Sequence, residues 1–282
     1  MKQAPITPGT LYVVPTPIGN LEDITARAIR VLKQVDLIAA EDTRKAQILF
    51  ETYGISTPTI SLFEGNEQAR AARILPQLQD GATVALISEA GMPGISDPGQ
   101  RLIQQCVEAN VAIDVLPGPS AVTTALVLSG LPSTPFLWVG FLPRKGSERR
   151  DAIALLKSTP ATSILFESPH RTGATLAELA EALGPRQAVL TRELSKRYQQ
   201  ADRDQLSELA QRYAHEAPRG EVTLVIGPPQ TKGADLTALD QSVTALLSAG
   251  LSTRTIADAL APWVGRNLAY KRARELEKAP RP

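Results

Sequence analysis

The chain has 282 residues, 43% of them hydrophobic and 21% charged, with 30 Lys or Arg against 29 Asp or Glu. That length suggests about two domains, and the apolar content excludes a disordered chain. The formal net charge of +1 excludes a protein that is basic all over, though not one with a local basic patch.

Met1 to Gly9 lacks the apolar core of a signal peptide. Leu11–Val14 reads as a strand, and Pro15-Thr-Pro-Ile-Gly-Asn20 as a shaped loop after it. Ile24 to Lys33 carries apolar residues at helical spacing. Leu37–Ala40 is a second strand, closed by Glu41-Asp-Thr-Arg44 and followed by a helix that Gly54 ends. Thr59–Leu62, the helix Gln68–Leu78 and the strand Val84–Ile87 continue the alternation. The loop Ser88 to Gly99 follows, then a helix through Val107, the strand Ile113–Leu116 and the turn Pro117-Gly-Pro-Ser120. Strands alternating with helices at this spacing predict parallel βα units. Ligands of such sheets sit outside the carboxyl ends of the strands, so the residues after Val14, Ala40, Ile87 and Leu116 are the expected site.

No charged residue occurs from Val115 to Pro143, but its prolines and glycines divide it into pieces too short to span a bilayer. It reads as a buried strand–helix–strand passage, with no membrane partner and a cytoplasmic location. A second α/β unit is expected over Ala121–Pro228, with strands at Phe136–Val139, Ser163–Phe166, Ala188–Leu190 and Val222–Ile226. Pro228 to Asp235 reads as a linker, and the remainder as three short helices.

Cys106 is the only cysteine, and His170 and His215 the only histidines. Disulfide frameworks, cysteine zinc sites and multi-histidine metal centres are excluded, and a reducing compartment fits. The glycine-rich signatures of dinucleotide and triphosphate binding are absent, as is the nucleophile elbow of serine hydrolases.

The loop Ser88 to Gly99, with three Gly and two Pro, lets backbone approach a ligand closely. Asp97 before Pro98-Gly99 reads as an N-cap for the next helix. Thr16 and Asn20 suit either a substrate contact or a cap. Glu41 and Asp42 suit a proton acceptor or a helix N-terminus that favours acids. Glu167 and Arg171, in Phe166-Glu-Ser-Pro-His-Arg171, suit substrate contacts or a mutual ion pair, and His170 reads as a surface residue or cap. Arg192 to Lys196 and the basic loop Arg144 to Arg150 suit phosphate contact or a solvated face. From Arg254 to Pro282 there are seven Lys or Arg against three acids. A neutral protein with a basic helical tail suggests a nucleic-acid arm resembling helix-turn-helix.

Taken together, Thr16-Pro-Ile-Gly-Asn-Leu21, Ala40-Glu-Asp-Thr-Arg44, Ser88-Glu-Ala-Gly-Met-Pro93, Ile95-Ser-Asp-Pro-Gly99, Pro117-Gly-Pro-Ser-Ala121, Phe166 to Arg171 and Arg192-Glu-Leu194 resemble the tetrapyrrole methylase superfamily. Within it, they resemble the bacterial enzymes that methylate ribose 2'-hydroxyls of 16S ribosomal RNA. The resemblance runs from about residue 10 to 228. It implies two α/β domains, residues 1–118 and 119–228, with S-adenosyl-L-methionine in the cleft between them. A helical RNA-binding appendage, residues 236–282, would follow. It also implies a homodimer that methylates cytidine C1402 of 16S rRNA in the 30S subunit, without a metal.

Carried over residue by residue, Ser88, Glu89, Ala90, Gly91 and Met92, with Ile95, would hold the methyl donor. Pro117, Gly118, Ser120 and Ala121 would line the same pocket. Thr16, Asn20 and Glu41 to Arg44 would lie near the acceptor or the pocket floor, and Glu167, Arg171, Arg192 and Glu193 would face the cleft. Asp42, Glu41, Glu167 and Glu193 are then the candidate general bases. Arg44, Arg144, Lys145, Arg171, Arg192, Lys271 and Arg272 are candidate RNA contacts. Glu89 and Met92 stand where the family has Asp and Thr, which matters little if backbone makes the contacts. Three other readings stay open: a tetrapyrrole C-methyltransferase, a non-catalytic RNA-binding or ribosome-assembly protein, and a generic α/β scaffold whose loops are structural.

Overall fold

The computed structural model describes residues 5–229 and 236–278. The expected linker falls mostly on residues outside these, as does Arg281 of the basic tail. The chain divides into two compact units, 1–229 and 230–282.

The first unit opens on β1 (Thr10–Val13), a 3-10 turn (Leu21–Asp23), α1 (Ala26–Gln34), β2 (Leu37–Ala40), α2 (Thr43–Tyr53) and β3 (Thr59–Ser61). It continues with α3 (Glu67–Gln79), β4 (Val84–Ile87), α4 (Gln100–Glu108) and β5 (Ala112–Val115). These strands form one parallel sheet in the order β3-β2-β4-β1-β5. Side chains alternate faces with period two. Leu11, Val13, Val84 and Leu86 pack with Ile74, Leu78 and Leu102 of α3 and α4. Tyr12, Val14, Ala85 and Ile87 pack with Val31, Leu32, Leu49 and Phe50 of α1 and α2. Both faces are covered, which is why the strands read as unbroken apolar runs. Gly54 ends α2 in the left-handed region, φ 62°.

Next come α5 (Ala121–Ser129), β6 (Phe136–Phe141), α6 (Ser147–Ser158), β7 (Thr162–Glu167), α7 (Pro169–Leu183) and β8 (Gln187–Arg192). Then follow β9 (Gln200–Gln205), α8 (Leu206–Arg212) and β10 (Val222–Ile226). The second sheet has the order β6-β7-β10-β8-β9 and is mixed. Only β6 and β7 are parallel neighbours; β10 runs antiparallel between β7 and β8, and β9 antiparallel along β8. Leu224 and Ile226 face α6, α7 and α8, while Val225 faces α5.

Three expectations are corrected. The uncharged passage does form a helix and a strand but is not wholly buried: Val127 is 78% exposed, and Val115 and Phe141 are 54% exposed. The basic loop is shorter than expected, because α6 starts at Ser147. Arg149 is inside that helix, donating to Glu178, the Pro143 carbonyl and Thr175. β9, Gln-Ala-Asp-Arg-Asp-Gln, carries no apolar alternation and was not anticipated.

The second unit contains α9 (Leu236–Ser248), α10 (Thr253–Val264) and α11 (Arg266–Lys278), packed around Leu239, Val243, Ile256 and Ala273. Ser252 caps α10 by accepting the Thr255 N–H at 3.2 Å. Among the described residues no helix is long and apolar enough to cross a membrane.

Candidate active site

The loops that leave the carboxyl ends of β1, β2, β4 and β5 meet the second sheet around a cavity of about 440 Å³. That size suits a small organic ligand. Glu41, Glu89 to Met92, Ile95 to Asp97 and Ser120 to Val122 form one side. Phe166 to Pro169 at the end of β7, and Gly220 to Thr223 at the start of β10, form the other.

The loop after β4 is held by backbone. Thr16 N–H donates to the Gly91 carbonyl at 3.0 Å, and Gly91 N–H donates to the Thr16 carbonyl at 2.9 Å, an isolated antiparallel bridge between two loops. Thr16 Oγ1 donates to the Ser88 carbonyl at 3.1 Å. Gly91 has φ 84°, a conformation that favours glycine. Thr16 is thus 3% exposed and serves the loop. Asn20 caps the 3-10 turn by accepting the Glu22 N–H.

Of the expected donor-loop residues, Glu89, Ala90, Gly91, Met92, Ile95, Ser120 and Ala121 line the cavity. Ser88 lies beneath it, buried, with Oγ donating to the Gly91 carbonyl at 3.3 Å. Pro117 and Gly118 are not among the lining residues; a Cβ on Gly118 would stand 2.9 Å from Pro15 Cβ, so this turn packs on the loop after β1.

The acids differ sharply. Glu167 has a fully buried side chain, and its oxygens accept from Ser168 N–H at 2.7 Å, Thr175 Oγ1 at 2.6 Å and Arg171 Nη2 at 3.2 Å. Asp42 caps α2 through the Arg44 N–H, and the Arg44 guanidinium beside it holds its carboxyl below the ordinary range. Glu193, at φ 51°, is paired with Lys196 at 2.9 Å, which lowers its pKa. Glu41 is raised chiefly by burial and accepts the Glu89 N–H at 3.2 Å. Glu89 itself pairs with Lys45 at 2.5 Å.

Asp97 is the residue that sequence reasoning misplaced. It does not cap α4. That end is held by Glu67 from α3, which accepts the N–H groups of Gly99 at 3.0 Å and Arg101 at 2.8 Å. A cap supplied from a distant helix leaves no local pattern. Asp97 instead turns into the cavity, where burial and then the charge of Glu41 push its pKa up to about 7. The nearby Ser88 hydroxyl opposes the shift, and the charge of Glu89 adds to it.

The candidate RNA contacts also separate. Arg144 and Lys145 are exposed, and Arg44 is 90% exposed while paired with Asp42. Arg171 is engaged by Glu167 and the Leu142 carbonyl, and Arg192 by Gln200. In the second unit Lys271 is exposed, but Arg272 is held by Asp240 and Glu275.

The cavity suits S-adenosyl-L-methionine. Ile18, Met92, Val122 and Phe166 offer apolar wall to a purine, and acids offer acceptors to hydroxyls and an ammonium. The first turn of α5 presents N–H groups with no acceptor inside the helix to a carboxylate. Among the described residues no group of acids, His or Cys is arranged to hold a metal ion.

Residues 10–210 match the family model of Tetrapyrrole (Corrin/Porphyrin) Methylases. A ribosomal RNA small subunit methyltransferase I of Micromonospora olivasterospora is 44% identical over 271 residues, 94% of this chain and 87% of the relative. The protein of that name from Escherichia coli O157:H7 is 42% identical over 95% of each chain. Another, from Thermotoga maritima, is 44% identical over 218 residues, 77% of this chain and 98% of the relative. Among solved structures, uroporphyrin-III-C-methyltransferase of Thermus thermophilus aligns with TM-score 0.56 at 20% identity, covering 78% of this chain and 94% of that one. Diphthine synthase aligns with TM-score 0.61 at 16% identity, covering 77% and 90%. The matched span, the shared fold and the loop-walled cavity lead to one conclusion: the chain belongs to the tetrapyrrole (corrin/porphyrin) methylase family.

Proposed function

We propose that this protein transfers the methyl group of S-adenosyl-L-methionine to the 2'-hydroxyl of a cytidine ribose, C1402, in 16S rRNA of the small ribosomal subunit. At the coarser level the chain is an S-adenosylmethionine-dependent ribosomal RNA methyltransferase. The observation that carries this over a tetrapyrrole substrate is sequence identity. The ribosomal RNA methyltransferases are 42–44% identical to the chain, whether they match nearly all of it or, as in Thermotoga, 77%, whereas the tetrapyrrole enzyme is 20% identical over 78%.

S-adenosyl-L-methionine supplies an activated sulfonium methyl, so the protein has to align, exclude water and accept a proton. In our reading the loop Ser88 to Asp97 and the start of α5 hold the donor, with backbone rather than Glu89 or Met92 setting its shape. Glu167 positions: its oxygens already accept three hydrogen bonds, and it ties β7 to α7 beside the cavity. Asp97 is the acid placed to take the hydroxyl proton. It faces the cavity, has no cation partner among the described residues, and its pKa is pushed up to about 7, near neutrality, where a general base is most effective. Asp42 and Glu193 are poor acceptors because each is paired with a cation. Residues 236–282 serve as the RNA-binding appendage. Exposed Val115 on edge strand β5, and Phe136 and Phe141 on edge strand β6, support a homodimer. A cytoplasmic location fits action on ribosomal RNA.

The test is calorimetric titration of the full chain with S-adenosyl-L-methionine, alongside Gly91→Trp, followed by labelled methyl transfer to small-subunit RNA. Binding by the wild type, its loss in Gly91→Trp, and label at a ribose support the reading. Label accepted by a porphyrinogen and not by RNA overturns it.

A further inference from the structure

α11 carries a surface that the core of its unit does not use. Asn267, Tyr270, Lys271, Arg274 and Lys278 are all exposed. At 3.6 residues per turn they fall within an arc of about 100° on one helix face. Ala269 and Ala273 occupy the opposite, buried face. Lys271, Arg274 and Lys278 have no ion-pair partner among the described residues, whereas Arg272 is held by Asp240 and Glu275 and Arg266 by Asp258 at 2.5 Å. The stripe runs into a second cavity, lined by Arg254 from α10 and by Arg266, Asn267 and Tyr270 from α11, with no acid in its wall among the described residues. With Arg266 held by Asp258, the guanidinium of Arg254, the Asn267 amide and the half-exposed Tyr270 ring are the groups that take a nucleotide: a cation for phosphate, an amide for a base edge, a ring for stacking.

We propose that this face grips single-stranded RNA, with Lys271, Arg274 and Lys278 on successive phosphates and one nucleotide seated in the cavity against Tyr270. The inference rests on the reading that RNA is the substrate, and adds where the tail meets it. It also sets the role of the grip. The Thermotoga relative is matched almost end to end in 218 residues, which leaves it no room for a helical unit of this size. The grip therefore raises affinity for RNA and is not required for methyl transfer.

The experiment measures binding of a labelled single-stranded RNA oligonucleotide by fluorescence anisotropy, using the full chain over a series of KCl concentrations. The triple variant Lys271→Ala, Arg274→Ala, Lys278→Ala is compared with the wild type and with Lys33→Ala, Arg73→Ala, Lys157→Ala, which removes three exposed cations from the first unit. Each phosphate contact on a single strand contributes about 0.7 to the slope of log K against log salt. The first triple should therefore flatten the slope by about 2, weaken binding at least about tenfold, and raise KM for small-subunit RNA at unchanged kcat. The control should keep the wild-type slope. Tyr270→Leu should weaken binding several-fold and Tyr270→Phe should not, because stacking needs the ring. A tail variant with wild-type slope and KM, or a control triple that flattens the slope equally, overturns the proposal. Those outcomes leave the substrate reading intact if the wild type still methylates RNA. A wild type that transfers no methyl to RNA overturns both.

Discussion

Asp97→Asn is expected to stabilise the protein, and to do so more at high pH than at low. In the folded chain the carboxyl titrates near 7, against an ordinary value of 3.8. At ~1.36 kcal/mol per unit the difference amounts to about 4 kcal/mol. Part of the carboxyl still meets water, and that screening reduces the figure to about 2 kcal/mol. The sign follows from which state holds the proton. Between about pH 4 and 7 the folded state is protonated at this site and the unfolded state is not, so rising pH favours unfolding. Below about pH 4 the penalty vanishes, and above about 7 it is complete. Asparagine cannot ionise. Urea unfolding of both proteins at pH 5 and pH 8 should show the variant gaining about 1 kcal/mol more at the higher pH. Methyl transfer should fall with the gain, as when a functional group is kept at a cost in stability. An identical gain at both pH values would refute the placement of this carboxyl in a desolvated acid cluster.

Other expectations concern packing. Gly173→Ala should lose about 1–3 kcal/mol, because its Cβ would stand 2.3 Å from the Tyr213 carbonyl oxygen, which is backbone and cannot step aside; thermal melting checks this, with donor affinity unchanged. Glu167→Ala should cost about 3–5 kcal/mol by stranding Thr175, Arg171 and the Ser168 N–H, with Glu167→Gln losing less, measured by denaturant midpoint. Gly118→Ala should weaken donor binding in calorimetry, since its Cβ meets Pro15 at 2.9 Å and displaces the loop bridged to Gly91. In the second unit Arg272→Ala should lower hydrogen-exchange protection of α9 and α11, while Lys271→Ala should not.

Much of the first sheet was legible because its strands are buried on both faces. Leu37–Ala40 and Val84–Ile87 coincide with β2 and β4 as observed, and the loops after them do form the cavity. The second sheet was less so. β9 is a polar edge strand whose pairing with β8 rests on backbone hydrogen bonds, and no apolar alternation announces it. Nor does an apolar run such as Val222–Ile226 say which way it will point; it lies antiparallel between β7 and β8, neither of them its neighbour in sequence. The side-chain roles failed where the partner was distant. Glu67 caps α4 across 32 residues, and Asp240 takes Arg272 across another 32, so local pattern assigned the cap to Asp97 and left Arg272 free for RNA.

The strand order has a consequence for synthesis on the ribosome. The first sheet draws on residues 10–115 alone, so it can close while the rest of the chain is still being made. The second sheet cannot, because its central strand is its last. Until β10 threads between β7 and β8, that sheet has a gap in its middle, and Val222 and Thr223 are missing from the cavity wall. A nascent chain therefore has no complete pocket for the methyl donor to bind and so draws no stabilisation from it. Prematurely terminated products should accumulate as folded first sheets that neither hold the donor nor compete for it.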